Sequence, residues 1–277
     1  MRAFPFLYRL VSNVHTKGKG KGVSCVPYAE SESRRIYYET AGEGPAVLFV
    51  HPPGMSQFVF CKQYPLKRQM KLILIDLNGH GNSESSLLGD MNSFLEDISA
   101  VQSAVKEKKI FLFGYSAGGT IVQQYALAYP DKLKGVILAS SYPKVDALLF
   151  KVQHQVGIQL AEKAPSVLAK MISNSHFERQ EEKKAMYQSM MKADRHIWKR
   201  FYQLSLHSDF TNQLSSWQLP VLSLYGGKSP VVNKYSHYYR TMPNSRVMLI
   251  KQATHQLPSK FSTELNPLLT EFVEQWR

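Results

Sequence analysis

The most informative part of this chain is Phe113-Gly-Tyr-Ser-Ala-Gly-Gly119. An apolar run precedes it and a helical pattern follows it. Glycines at positions 114 and 118 flank Ser116, and this strand–turn–helix context is typical of a nucleophile elbow, G-x-S-x-G. The tight turn lifts a serine hydroxyl clear of the backbone, where a base can activate it. We therefore expect Ser116 to be a nucleophile, with the N–H of Ala117 at the helix start favouring an oxyanion.

Short apolar runs, typical of strands buried on both faces, recur on either side of the elbow. They predict strands over residues 35–40, 46–50, 72–75, 110–113, 136–139, 221–225 and 246–250. Helical patterns cover about 92–107, 119–129 and 259–276. Because strands alternate with helices, we predict an α/β fold with a mostly parallel, doubly wound sheet.

Residues 141–218 interrupt this alternation, since they contain helical periodicity but no convincing buried strand. We predict a helical cap here, inserted between two strands of a core formed by residues 23–140 and 219–277. The segment is rich in methionine and aromatic residues, such as Met186, Met190, Trp198 and Phe201. These side chains fit ordinary helix packing, a lid whose apolar underside lines a pocket, or both.

Composition restricts the function classes further. The formal net charge is +13, but no helix-turn-helix, zinc-finger or RNA-binding signature accompanies it, so no specific nucleic-acid partner is expected. Cys25 and Cys61 provide neither a disulfide framework nor metal-ligand spacing, and they favour a reducing, cytoplasmic location. We expect no metal and no cofactor. Oligomeric state cannot be read from the sequence.

Residues 1–22 combine apolar and basic residues and end in a Lys-Gly tract, 17–22. Arg9 interrupts the apolar centre that a secretory signal needs, and no good cleavage site follows. We interpret this stretch as a flexible basic tail. Weak contact with a membrane surface is the alternative.

Several motifs together resemble the α/β-hydrolase fold, of the serine hydrolase, carboxylesterase-like type with a helical cap. They are His51-Pro-Pro-Gly54 after a strand, Asp76-Leu-Asn-Gly-His-Gly81, the elbow, Ala126-Leu-Ala-Tyr-Pro130 and a late histidine, His255. The resemblance covers residues 35–277. It implies that Ser116 is the nucleophile and His255 the general base. His154 and His176 fall in the predicted cap, where we expect surface or packing roles.

The third member of the triad departs from the family pattern. Ser229, in Gly226-Gly-Lys-Ser229, stands where similar proteins carry an acid. Some relatives place the acid at the end of the strand before the cap, and here Asp146 follows that strand by a few residues. A serine hydroxyl can orient an imidazole, but it cannot stabilise imidazolium as a carboxylate does. Ser229 and Asp146 therefore remain alternative partners of His255.

The oxyanion loop also departs from the pattern. Pro53 falls near the expected donor, and proline has no N–H. Gly54 or Met55 is the alternative donor opposite Ala117.

The resemblance predicts a serine hydrolase that acts on small, mostly apolar acyl substrates, such as carboxylic esters, through an acyl-enzyme. C–C bond cleavage, lactone opening and acyl transfer use the same fold. Because the acid and one oxyanion donor are missing, the alternative is a ligand-binding or regulatory protein with weak or lost catalysis.

Overall fold

A computed structural model describes residues 27–86 and 88–277 of the chain. Its central feature is an eight-stranded sheet with the strand order β1-β2-β4-β3-β5-β6-β7-β8. The strands are β1 (Tyr28–Ser31), β2 (Arg34–Ala41), β3 (Ala46–Val50), β4 (Lys71–Ile75), β5 (Ile110–Tyr115), β6 (Leu133–Ala139), β7 (Val221–Gly226) and β8 (Ser245–Ile250).

Six of these strands, from β3 to β8, are parallel to one another, whereas β1 and β2 pair antiparallel at one edge. All five residues of β3 are buried, as the continuous apolar run predicts. Leu48 and Val50 pack into the core on one face of the sheet, while Val47 and Phe49 pack on the other. The predicted α/β fold with a mostly parallel sheet is confirmed.

Ten α-helices occur in the described residues, and six of them follow β4, β5, β7 or β8 in the chain. They are α1 (Met91–Ala104), α2 (Gly118–Ala128), α7 (Pro230–Asn233), α8 (Ser236–Arg240), α9 (Leu257–Lys260) and α10 (Ser262–Gln275). The 3₁₀ segments are Gln57–Arg68, with 12 residues, and the three-residue turns Pro130–Lys132 and Leu214–Ser216. Neither β1 nor the segment Gln57–Arg68 was predicted from the sequence.

The remaining four helices lie between β6 and β7 in the chain: α3 (Leu148–Lys163), α4 (Pro165–His176), α5 (Gln180–Met190) and α6 (Arg195–His207). The Asp194 carboxylate accepts hydrogen bonds from the N–H groups of His196 and Ile197 and so begins α6. Trp198 and Phe201 of α6 are buried. The division at residues 140 and 219 into core and cap stays a prediction, and the predicted basic tail lies outside the described residues.

None of the described helices is both long enough and apolar enough to cross a membrane.

Candidate active site

Ser116 occupies a strained turn between β5 and α2. Its φ is +50°, a left-handed conformation that a serine adopts only at a cost. The Ser116 N–H donates to the carbonyl of Ala139 at 2.8 Å, which fixes the turn against the end of β6. A Cβ at Gly118 would lie 2.4 Å from the carbonyl oxygen of Val50, so this position accepts only glycine. The turn is therefore held in place by the strands on both sides of β5.

The Ser116 hydroxyl meets the ring of His255. Ser116 Oγ lies 2.9 Å from His255 Nε2, a hydrogen-bonding distance. His255 follows β8 by five residues, in the loop before α9. The structure thus brings together the two residues that the resemblance pairs, although they are 139 positions apart in sequence.

Three influences keep the His255 imidazole neutral. Burial lowers its pKa to about 3, and the nearby His176 and His154 lower it in the same direction. A neutral imidazole can accept a proton, so the ring is in the correct charge state for a base. The imidazolium that a proton transfer would create is disfavoured by the same surroundings.

The other ring nitrogen of His255, Nδ1, is buried and has no hydrogen-bond partner among the described residues. When Nδ1 carries the proton, the unsatisfied N–H costs about 1–3 kcal/mol. When Nε2 carries it, that nitrogen donates to Ser116 and cannot act as a base. A carboxylate at Nδ1 normally selects the productive tautomer. In the described residues, no carboxylate contacts Nδ1 of His255 to select this tautomer.

Ser229 lies in the loop after β7, at the residue before α7. Its N–H donates to the carbonyl of Gly226 at 3.0 Å. Its side chain makes no hydrogen bond to His255, whose Nδ1 stays unpartnered in the described structure. The structure thus brings Ser229 into the loop expected to carry an acid, without joining it to the imidazole.

Asp146 is directed to a different set of partners. Its carboxylate accepts a hydrogen bond of 2.8 Å from the hydroxyl of Tyr235 and forms ion pairs with Lys144 and Lys234. Partial burial raises its pKa, but the hydrogen bonds from Tyr235 and Lys144 and the charge of Lys234 outweigh that effect and lower it overall. The side chain is 45% exposed and does not contact His255 Nδ1.

The three predicted oxyanion donors differ in their availability. The N–H of Ala117 has no acceptor among the described residues, and Ala117 immediately precedes α2. The N–H of Met55 donates to the carbonyl of Pro52 at 3.2 Å and is therefore engaged. Gly54 has φ +72° and faces Trp198, since a Cβ there would lie 1.8 Å from the indole. The N–H of Gly54, like that of Ala117, donates to no acceptor in the described residues, but Ala117 is the donor adjacent to Ser116 in the chain.

A cavity of about 190 Å³ opens onto Ser116 and His255. Its remaining lining is mostly apolar or aromatic and comes from the 52–55 loop, the ends of β5 and β6 with the residues after them, and α3, α4 and α6. It consists of Pro52, Pro53, Met55, Tyr115, Ala117, Tyr142, Phe150, Gln153, His154, Ile172, His176 and Tyr202. Residues of α3, α4 and α6 thus form a largely apolar wall of the cavity that contains Ser116.

Two histidines in this lining were expected to have surface or packing roles. His176 Nδ1 lies 2.9 Å from the carbonyl of Ile172, so it carries the proton, and Nε2 accepts from the Tyr115 hydroxyl at 3.0 Å. His154 pairs with Tyr142 in the same way, at 2.9 Å. Nothing in the local sequence indicates these pairs, because they form only where α3 and α4 pack over the sheet.

A second cavity, of about 260 Å³, contains neither Ser116 nor His255. Asp76 lines it, and burial raises the pKa of this carboxyl to about 7. Asp76 accepts hydrogen bonds from the N–H groups of Gln57 and Asn82 at 2.8 and 2.9 Å. These contacts organise two loops and leave Asp76 without a link to His255. Within residues 27–86 and 88–277, no group of three or more His, Cys, Asp or Glu side chains could hold a metal ion.

Comparisons with known proteins agree with this fold. Residues 65–259, more than half of the chain, match the family model described as serine aminopeptidase, S33. The pimeloyl-[acyl-carrier protein] methyl ester esterase of Aliivibrio fischeri is 24% identical over 258 residues, which cover 87% of this chain and 98% of that protein.

Two solved structures share the architecture at low sequence identity. An esterase from Exiguobacterium antarcticum superimposes with a TM-score of 0.80 at 19% identity, covering 89% of this chain and 98% of the other. A bromoperoxidase from Bacillus anthracis also gives 0.80, at 20% identity, with 89% and 99% covered. Likeness at this identity demonstrates the fold alone. Together with the family match, it identifies the chain as a hydrolase that belongs to the serine aminopeptidase S33 family of the α/β-hydrolases.

Proposed function

We propose that this protein is a serine esterase that hydrolyses small, mostly apolar carboxylic esters through an acyl-enzyme on Ser116. The observation that carries the proposal is the 2.9 Å contact between Ser116 Oγ and His255 Nε2, on an elbow that faces a cavity. The esterase relatives support an ester as the substrate.

In the proposed reaction, Ser116 Oγ attacks the ester carbonyl while its proton passes to Nε2 of His255. The N–H of Ala117 stabilises the negative charge on the carbonyl oxygen. The imidazolium then protonates the leaving alcohol, and the acyl group remains on Ser116. A water molecule, activated by the same nitrogen, releases the acid and regenerates the hydroxyl.

The size and lining of the cavity support a small apolar acyl group as part of the substrate. The cavity has a volume of about 190 Å³, below the roughly 300 Å³ at which pockets for drug-sized ligands begin. The Tyr115 hydroxyl donates to His176, and the Tyr142 hydroxyl is hydrogen-bonded to His154 and Ser205. In each pair the histidine and the tyrosine satisfy each other's hydrogen-bonding groups. A polar acyl chain would therefore find few free donors on these cavity walls.

Labelling with a fluorophosphonate probe tests the proposal. We expect wild type and Ser215→Ala to be labelled and Ser116→Ala to remain unlabelled, because Ser215 is an exposed serine outside the cavity. His255→Ala should slow labelling strongly. Equal labelling of wild type and Ser116→Ala would refute the assignment. A p-nitrophenyl ester series of increasing chain length then reports the acyl preference.

The second candidate is a ligand-binding or regulatory protein with weak or lost catalysis. Two observations favour it: His255 Nδ1 has no described partner, and proline occupies position 53 in the oxyanion loop. This candidate predicts ester turnover by wild type no higher than by Ser116→Ala, together with saturable binding of an apolar ligand in the cavity. Turnover above that control supports the esterase instead.

A further inference from the structure

The exposed apolar side chains of this protein are concentrated on two helices. Eleven large apolar side chains are exposed in the described residues, and six of them belong to α3 and α4. These six form what we call the apolar rim: Leu148, Leu149, Val152, Val156, Val167 and Met171. Such clustering on a protein surface marks an interaction site rather than ordinary scatter.

Helical spacing aligns the rim along the outer faces of both helices. Leu149, Val152 and Val156 are spaced three and four residues apart, so they share one face of α3. Val167 and Met171 are likewise four residues apart on α4. The two helices pack against each other.

The apolar rim borders the cavity that contains Ser116. Val152 precedes Gln153 and Met171 precedes Ile172, and both following residues line that cavity. A surface that covers the rim is therefore close to two residues of the cavity lining, Gln153 and Ile172.

The unpaired charged residues around the rim are all lysines. Lys151, Lys163 and Lys170 are exposed, and none of them forms an ion pair with a described residue. The acidic residue of α3 and α4, Glu162, is paired with Lys199. A partner that covers this face must therefore combine apolar groups with negative charge.

We propose that α3 and α4 dock this protein on an anionic lipid surface, with the rim entering the headgroup–acyl boundary and the lysines facing the headgroups. Aliphatic side chains flanked by lysine are typical of helices that lie in a membrane interface. Protein–protein interfaces are instead depleted in lysine and enriched in aromatic residues, methionine and arginine, and of these the rim contains only Met171. The sequence adds a second basic element, because residues 1–22 contain five Lys or Arg and no Asp or Glu.

Docking in this orientation would present lipid-derived esters to the cavity. That consequence rests on the proposed esterase function, whereas the docking itself does not. Vesicle binding is therefore measured on wild type and on Ser116→Ala, and we expect the two proteins to bind equally. If wild type docks on vesicles but hydrolyses esters no faster than Ser116→Ala does, the esterase function is refuted and the docking stands.

The experiment is co-flotation of the full-length protein with phosphatidylcholine vesicles, with and without phosphatidylglycerol. We expect binding to the anionic vesicles and at least about tenfold weaker binding when Leu149, Val152 and Val156 are all replaced by Gln. The matched control is Leu249→Gln, since Leu249 on β8 and Leu149 are both 57% exposed. The control should bind as wild type does.

Charge is tested separately with Lys151→Gln combined with Lys170→Gln, against Lys108→Gln as an exposed control outside the rim. We expect the double lysine variant, and not Lys108→Gln, to bind anionic vesicles more weakly than wild type.

The proposal is overturned if no vesicle is bound, or if the triple Gln variant binds as well as Leu249→Gln. It is also overturned if the triple variant leaves docking intact but changes the oligomeric state, because the rim would then join copies of the chain. Hydrolysis of a short soluble ester by the triple variant should equal that of wild type.

Discussion

The N–H of Lys228 donates a hydrogen bond of 2.8 Å to the carbonyl of Ala253, and this contact joins the loop after β7 to the loop that carries His255. The first of these loops also contains Ser229, at the family position of the acid. The two loops that would carry the acid and the histidine of a triad are therefore joined through their backbones. His255 Nδ1 nevertheless has no hydrogen-bond partner among the described residues.

Ser229→Asp is expected to raise ester turnover by at least about tenfold, because a carboxylate near Nδ1 would select the base tautomer and stabilise the imidazolium. The measurement is kcat on a short p-nitrophenyl ester. Ser229→Asn is the matched control, since it has a similar shape without the charge. Asp146→Asn should leave kcat unchanged. A collapse of kcat in Asp146→Asn, without a gain in Ser229→Asp, would place the acid at position 146 instead.

Pro53→Ala is expected to raise kcat, again by about tenfold or more, because it returns an N–H to the oxyanion loop. Pro52→Ala is the control, as it adds an N–H one residue earlier in the same cavity wall. If both variants change kcat equally, the effect comes from loop flexibility and the position of the donor is irrelevant.

The strained elbow predicts a difference in stability. Ser116→Gly and Ser116→Ala both remove the hydroxyl, but only glycine adopts φ +50° without a steric cost. The left-handed conformation costs a residue with a Cβ about 1–2 kcal/mol. After the entropy of glycine in the unfolded chain is subtracted, the glycine variant should be more stable by about 0.5–1 kcal/mol. Urea denaturation measures this, and equal free energies of unfolding would mean that the turn is relaxed.

Acidification should reduce the stability of the fold below about pH 6.5, the ordinary pKa of histidine. Burial lowers the pKa of His255 to about 3 and the pKa values of His80 and His176 to about 4. The unfolded chain therefore takes up these protons first, and each histidine costs about 1.4 kcal/mol per pH unit of acidification until its folded pKa is reached. Above about pH 6.5 these groups contribute no slope.

Two buried carboxyls have the opposite effect, because their protonation stabilises the fold as the pH falls below about 7. Burial raises the pKa of Asp76 and Asp97 to about 7, so the folded state binds their protons more readily than the unfolded chain does. Burial also lowers the pKa of His51 and His154, which leaves the histidines in the majority. We expect the urea midpoint to fall between about pH 6.5 and pH 4.5. A midpoint that stays constant or rises would mean that the carboxyls dominate.

Much of the fold could be predicted from local patterns. The strand Ala46–Val50 was predicted with its observed bounds, since a short β-branched run with no polar residue fits a strand buried on both faces. The edge strand Tyr28–Ser31 is not predicted from the sequence, because its four residues, Tyr-Ala-Glu-Ser, contain no continuous apolar run although Ala29 and Ser31 are buried.

Local sequence is enough to specify the reactive groups of this protein: a serine between two glycines at a strand–helix junction, a late histidine, and proline and serine where a donor and an acid were expected. These are local properties, encoded by adjacent residues and their backbone preferences. Which of these groups come into contact depends on the packing of distant segments. The tertiary structure placed Ser116 against His255, paired His176 with Tyr115, turned Asp146 toward Tyr235, and left Nδ1 of His255 without a described partner. Such contacts join residues far apart in the chain, and they depend on how the helices pack over the sheet.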